Sequence, residues 1–283
     1  MSDATLAPPA PEMTAPCGNA HGSPIWYELM TPDPAGVTAF YRATLGWEIQ
    51  AEGMQNPSGS EYRMIGRGDG GHAGGVLTIT PGMSAGGARP GWLTYFNVDD
   101  VDAATAKAQE LGATVHMPPM TMEGVGRIAM LADPQGAPFY LMTPAPPADR
   151  PDAQSDVFKP TTPGHCVWNE LETTDEPGAT AFYTALLGWN AGRTMPMGEK
   201  GDYRFVEAAG TQIGAINPWM ADYMTLGWLP YFGVANIEAA KAAAEANGGT
   251  VTHEIHEVPS GDFIFTATDP AGAPLGFAGP KGA

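Results

Sequence analysis

A chain of 283 residues is longer than one typical compact domain and the right length for two. Its 13 Lys and Arg against 31 Asp and Glu give a formal net charge of -18, a field that repels phosphate backbones and anionic lipid, so neither nucleic acid nor membrane is an expected partner. No apolar run of about 18 residues is present, the start lacks a basic segment and an apolar stretch, and Cys17 and Cys166 are too few for a disulfide scaffold; the expected compartment is the cytoplasm.

Residues 1–21, with Pro8, Pro9, Pro11 and Pro16, read as a disordered tail. A strand over Ile25 to Met30 then feeds a helix with Asp33 as N-cap, Pro34 in the first turn, Val37, Phe40, Tyr41 and Leu45 on one face, and Gly46 as the stop. Short strands are expected near Trp47 to Ala51, Tyr62 to Ile65 and Gly75 to Ile79. A strand over Trp92 to Val98 leads into a second helix, with the stripe Val101, Ala104, Ala108 and Leu111 closed by Gly112. Strands over Thr114 to Met117, Arg127 to Leu131 and Phe139 to Met142 follow. Each half is βαβββ. A Pro-, Asp- and Thr-rich stretch, 146–161, reads as a linker between a domain over 22–145 and one over 162–283.

The second domain repeats the first. Trp26 to Trp47 matches Trp168 to Trp189 without a gap, since 168 − 26 and 189 − 47 both equal 142. Tyr62-Arg63 recurs as Tyr203-Arg204, and Gly91-Trp92-Leu93 with Tyr95-Phe96 as Gly227-Trp228-Leu229 with Tyr231-Phe232. Asp133-Pro134-Gln135-Gly136 recurs as Asp269-Pro270-Ala271-Gly272. Helices are expected near 178–187 and 237–246 of the second copy.

Paired βαβββ units carrying Phe40-Tyr41, Leu45-Gly46-Trp47, Val98-Asp99-Asp100-Val101 and Asp133-Pro134-Gln135-Gly136 resemble the vicinal-oxygen-chelate superfamily of glyoxalases, bleomycin-resistance proteins and dioxygenases, in a two-domain glyoxalase-like form. The resemblance implies an α+β fold. Each of two tandem domains is a curved, cup-like mixed sheet with helices outside and a small-molecule cavity inside. In metal-dependent members, His, Gln or Glu from the first and last strands of each module hold a Lewis-acid metal. Counting from the landmarks puts Trp26, Leu93 and Tyr140 at such positions in the first copy, and Trp168, Leu229 and Gly276 in the second. None is a normal transition-metal ligand, so neither a metal nor another cofactor is expected.

Strand alternation puts Trp26, Glu28 and Met30 on one face, and Trp168, Glu170 and Glu172 on its counterpart. With Tyr95, Tyr140 and Tyr231 they suggest an apolar cavity with a few polar anchors, suited to a flat aromatic ligand. The candidate ligand-binding residues are therefore Trp26, Glu28, Tyr95, Tyr140, Trp168, Glu170 and Tyr231; no catalytic residue is assigned. Two readings stand for each feature. Glu28 and Glu170 either pair with Arg63, Arg127 or Arg204 to tie strands together, or hold a ligand hydroxyl, amine or cation. The tryptophans either fill core or stack on ligand. His253 and His256, with Glu254 and Glu257, form a local cluster, but a spacing of three in a regular strand sends the two rings to opposite faces. The expected activity is metal-free binding of a small organic molecule by a monomer or homodimer. The alternative is a glyoxalase-like lyase or isomerase, or a ring-cleaving dioxygenase.

Overall fold

A computed structural model describes residues 18–55, 59–218 and 226–282. In chain order the first copy contains β1 (Pro24–Thr31), α1 (Pro34–Leu45), β2 (Glu48–Ile49), β3 (Met54–Gln55), β4 (Glu61–Gly66), β5 (His72–Thr78), α2 (Pro81–Ala85), β6 (Gly91–Asn97), α3 (Val101–Glu110), β7 (Thr114–Met122), β8 (Gly126–Ala132) and β9 (Pro138–Pro144). The second contains β10 (Cys166–Thr173), α4 (Glu176–Leu187), β11 (Thr194–Pro196), β12 (Asp202–Ala208), β13 (Thr211–Pro218), β14 (Gly227–Gly233), α5 (Ile237–Ala246), β15 (Thr250–Glu257), β16 (Phe263–Thr268) and β17 (Pro274–Gly279).

The caps act where the sequence puts them. Asp33 accepts from the Gly36 N–H at 2.9 Å, and Gly46 ends α1 in the left-handed region at φ 68°. Asp175 and Gly188 repeat both devices on α4. A residue with a Cβ at Gly46 or Gly188 would strain that turn, so the helix stops there.

Each copy forms one open mixed sheet. The orders are β2-β4-β5-β1-β6-β9-β8-β7, with β3 beside β4, and β11-β12-β13-β10-β14-β17-β16-β15. At the centre β1 runs parallel to β5 and antiparallel to β6, and β10 does the same with β13 and β14. One face of each sheet is covered by helices, and those helices lie between the two copies: α1 packs on α5 and α3 on α4. The helices stand outside each cup, as expected, with one side packed against the other copy and the opposite side exposed.

The apolar core is shared across the repeat. One buried cluster joins Phe40, Tyr41, Trp47 and Trp92 to Phe232, Ile237, Phe265 and Phe277; a second joins Phe96, Val101 and Phe139 to Tyr183, Trp189 and Trp228. The repeated landmarks meet there. Tyr41 donates to Asp269 at 3.0 Å and receives a hydrogen bond from Trp92 Nε1 at 3.2 Å. Tyr183 donates to Asp133 at 3.1 Å and receives one from Trp228 Nε1 at 3.0 Å. Each Asp uses its other oxygen to hold its own Asp-Pro-x-Gly turn. Burial pushes the Asp133 and Asp269 carboxyls up, opposed by these donors.

The stretch between the sheets also packs. Val157 is buried in the first cluster and Phe158 bridges to Cys166. Residues 18–21, read as the end of the tail, are tied down: the Gly18 carbonyl accepts from Gln154, and the Asn19 and Ala20 carbonyls from Asn97. The rest of that tail, with Cys17, lies outside the described residues; Cys166 is a buried free thiol. Among the described residues no helix is long and apolar enough to cross a membrane.

Candidate functional site

The face of each sheet away from the helices carries the repeated Trp-x-Glu. In the second copy the sequence repeat forms a relay. Trp168 Nε1 donates to the Tyr203 hydroxyl at 2.9 Å, and Tyr203 donates to Glu170 Oε2 at 2.5 Å. Tyr231 donates to the other oxygen at 3.2 Å. In the first copy Trp26 donates to Tyr62 at 2.7 Å, and Tyr95 donates to Glu28 Oε2 at 2.8 Å. Phenols, not guanidinium groups, therefore face the two carboxylates. The arginines considered as partners are engaged elsewhere: Arg63 with Glu61, Arg127 with Asp102 and Arg204 with Glu176. Arg127 and Arg204 find their carboxylates on or beside helices, a tertiary choice that module position does not reveal. Tyr62 and Tyr203 complete the Trp–Tyr–Glu grouping; their recurrence in the Tyr-Arg repeat was the available signal.

Beyond this common frame the copies diverge. In the first, Tyr140 stacks on Tyr95 with centroids 4.1 Å apart, and Met30, Leu93, Ile128 and Met142 close round them into a buried cluster. Met83, from α2, packs against it. Glu28 is 2% exposed, and burial, opposed by the Tyr95 and Tyr140 hydroxyls, pushes its carboxyl up to about 7.

In the second copy the corresponding face opens into a cavity of about 1180 Å³. The pair register identifies what changed. Glu172 stands where the first copy has Met30, and its cross-strand partner Asn217 stands where the first has Leu77. Gly276, opposite Tyr231, stands where Tyr140 faces Tyr95. Without a side chain at Gly276 the Tyr231 ring lies down on the backbone; a Cβ there would come within 2.2 Å of Tyr231 Cδ1. Asn217 Nδ2 donates to Glu172 Oε1 at 3.0 Å, while Glu172 Oε2 and Asn217 Oδ1 are buried acceptors with no donor. Burial, then the neighbouring Glu170 charge, drives the Glu172 carboxyl far above the usual carboxylate range, against the Asn217 amide that lowers it. Trp168, Phe205, Met195, Met197 and Leu229 supply apolar wall.

His253 and His256 both line this cavity, with ring centroids 4.6 Å apart. This corrects the opposite-face expectation. The register of β15 slips between Val251 and His253 and again between His253 and His256, and each irregularity resets the alternation. The same slips occur in β7 around Met117, and the strand runs through Pro118 and Pro119 to Met122, beyond its expected end at Met117.

Of the sequence candidates, Trp168, Glu170 and Tyr231 meet at the second cavity, while Glu28, Tyr95 and Tyr140 meet inside the filled first face. Trp26 is half-buried beside that face. For metal, the counted positions Leu229 and Gly276 offer no ligand atom, and both Glu170 oxygens accept phenol hydrogen bonds. Among the described residues, one group of three candidate ligands clusters: Asp69, Asp156 and His165. It sits at the junction of the copies, and Arg67 already bonds both carboxylates, at 3.2 Å and 2.6 Å.

The two-sheet repeat and its landmarks define a class. The family model of the glyoxalase/bleomycin resistance protein/dioxygenase superfamily matches residues 24–141 and 162–277, and the chain belongs to that superfamily. Among its relatives is CFP32 of Mycobacterium tuberculosis, provisionally named a glyoxylase, 30% identical over 252 residues that cover 89% of this chain and 92% of the relative. The anthracycline biosynthesis protein DnrV of Streptomyces peucetius is 30% identical over 262 residues, covering 86% of this chain and 88% of DnrV. Among solved structures, the 2,3-dioxygenase LapB of Pseudomonas sp. KL28 superposes with a TM-score of 0.60 at 16% identity, covering 93% of this chain and 94% of LapB. The Mn(II)-bound glyoxalase of Novosphingobium aromaticivorans gives 0.59 at 15%, covering 92% and 83%. At these identities the two structures share the fold and nothing finer.

Proposed function

We propose that this protein binds a small organic ligand with a flat, aromatic part in the cavity of its second copy, and that the corresponding face of the first copy serves packing. The observation that carries this is internal. One repeat, on one scaffold, is filled by Tyr95, Tyr140 and methionines, while among the described residues the other keeps about 1180 Å³ open beside Trp168, Glu170 and Tyr231. The walls are aromatic and apolar and the polar atoms gather at one end, the composition of a site for a small organic molecule. This reading routes no step through a metal: the positions Leu229 and Gly276 carry no ligand atom, and Glu170 is held by phenols. The names of CFP32 and DnrV are in keeping with small-molecule chemistry.

The test is a ligand-observed screen of planar aromatic compounds, followed by paired substitutions. Trp168→Ala is expected to weaken binding of the hits about tenfold, near 1.4 kcal/mol, while Trp26→Ala leaves affinity unchanged. Equal losses from both, or none from either, would remove the assignment to the second copy.

One observation favours a second reading, metal-free lyase or isomerase chemistry. Burial and the adjoining Glu170 raise the Glu172 carboxyl, while both Glu170 oxygens accept phenol hydrogen bonds. Environments that separate two carboxyls in this way divide them into acid and base. Turnover abolished by Glu172→Gln with ligand affinity retained would support it; turnover that survives this change would end it.

A further inference from the structure

Accepting that the second cavity binds ligand, we infer that its ligand is an organic cation: an aromatic frame carrying a primary or secondary ammonium, seated with its N–H groups on Glu172 and Asn217. Three observations converge. First, Glu172 Oε2 and Asn217 Oδ1 are both buried acceptors without a donor, on residues 3% and 4% exposed that line the cavity. Asn217 spends its amide donor on Glu172 Oε1, so the one donor left at this point is a Glu172 carboxyl proton, which an entering ammonium displaces. An ammonium brings two or three donors to such a point; a carboxylate or phosphate brings none. Second, the charge of the lining is negative. Glu170 and Glu172 stand at the floor, Glu257 and Asp262 further out. Arg193 is exposed, spread over the Phe205 ring at 3.9 Å and bonded to Gln212. His253 is held below its ordinary range by burial and by His256, which keeps it from supplying counter-charge. Third, Trp168, Tyr203, Phe205 and Tyr231 give the cavity aromatic faces, which attract cations.

The first copy shows that this polarity is not required by the fold, because Met30 and Leu77 occupy the same register positions. A buried acceptor pair that packing does not need costs stability, and a matching donor offsets that cost. Seating a positive group against Glu172 also favours its ionised form. The carboxyl proton then leaves to solvent, and affinity rises as pH rises toward the ammonium's own range. The other titratable groups of the lining, Tyr203 and Tyr231, donate their hydroxyls to Glu170.

A matched series on the wild-type protein decides it: a naphthylethylamine, the corresponding naphthylethanol and naphthylacetate, titrated by calorimetry in two buffers of different ionisation enthalpy. The amine is expected to bind at least tenfold tighter than the alcohol, with the acetate weakest, and its heat should differ between buffers in the sense of proton release. Glu172→Gln should bring the amine-to-alcohol ratio near one, and Asn217→Leu should lower the same ratio. Alcohol binding as tightly as amine in the wild type overturns the cation inference and leaves the cavity assignment standing. Binding of none of the three overturns both.

Discussion

The two faces of this molecule that carry no helices descend from one repeat and have reached different ends. Both keep Trp, Glu and two tyrosines at equivalent positions, Trp26, Glu28, Tyr62 and Tyr95 against Trp168, Glu170, Tyr203 and Tyr231. The grouping is present on a face packed with Tyr140 and methionines, so it does not by itself mark a ligand site; there it gives Glu28 Oε2 a donor and leaves Oε1 without one. What distinguishes the open face is a short set of exchanges: Tyr140 for Gly276, Met30 for Glu172, Leu77 for Asn217 and Met117 for His253. Losing one ring opens volume, and replacing methionine and leucine by acid and amide lines it with acceptors. Divergence between copies therefore points to function more sharply than their agreement.

The largest expected effect tests the filling of the first face. Tyr140→Gly, which installs the second copy's residue, removes a 5%-exposed ring stacked on Tyr95. It should cost about 3–5 kcal/mol in urea denaturation. A loss under about 1 kcal/mol would mean that the first face is not packed as a core.

Next is the pH dependence of stability. Glu28 is raised from its ordinary value of 4.5 to about 7, chiefly by burial. The folded state thus holds the proton more tightly than the unfolded chain. The stabilisation is complete below about pH 4 and is lost as pH rises through about 7, a fall of about 3 kcal/mol for this group. Glu28→Gln, neutral at every pH, should flatten that part of the profile in denaturation measured between pH 4 and 8. An unchanged slope would place the charge of Glu28 in a better-solvated site.

A smaller change of opposite sign is expected in the second copy. Glu172→Met combined with Asn217→Leu restores the first copy's pair and removes two unpartnered acceptors. It should raise stability by about 1–2 kcal/mol and abolish ligand binding. A destabilised variant would show that the acid and amide serve structure.

The smallest effect separates the tyrosines. Tyr203 both accepts from Trp168 and donates to Glu170, whereas Tyr62 has only the Trp26 hydrogen bond among these. Tyr203→Phe should cost about 1 kcal/mol more than Tyr62→Phe by thermal denaturation. Equal costs would erase the distinction between the two relays.

The sequence by itself determined the duplication, the order of elements, the caps at Asp33 and Gly46, and the common face of Trp168, Glu170 and Glu172. Each of these rests on spacing along the chain, which local backbone geometry converts directly into helix, turn or pleat. Only the tertiary structure decided the rest. The landmarks Tyr41 and Asp269 bond each other across the repeat, over 228 residues. The carboxylates chose phenols over arginines, and two slips in β15 turned His253 and His256 into one cavity. Whether a face is filled or open depends on side-chain volumes summed over several strands, Tyr140 and Met83 in one copy and Gly276 in the other. That sum exists only once the strands are side by side, which is why the same Trp-x-Glu reads alike in both copies and stands in two different places.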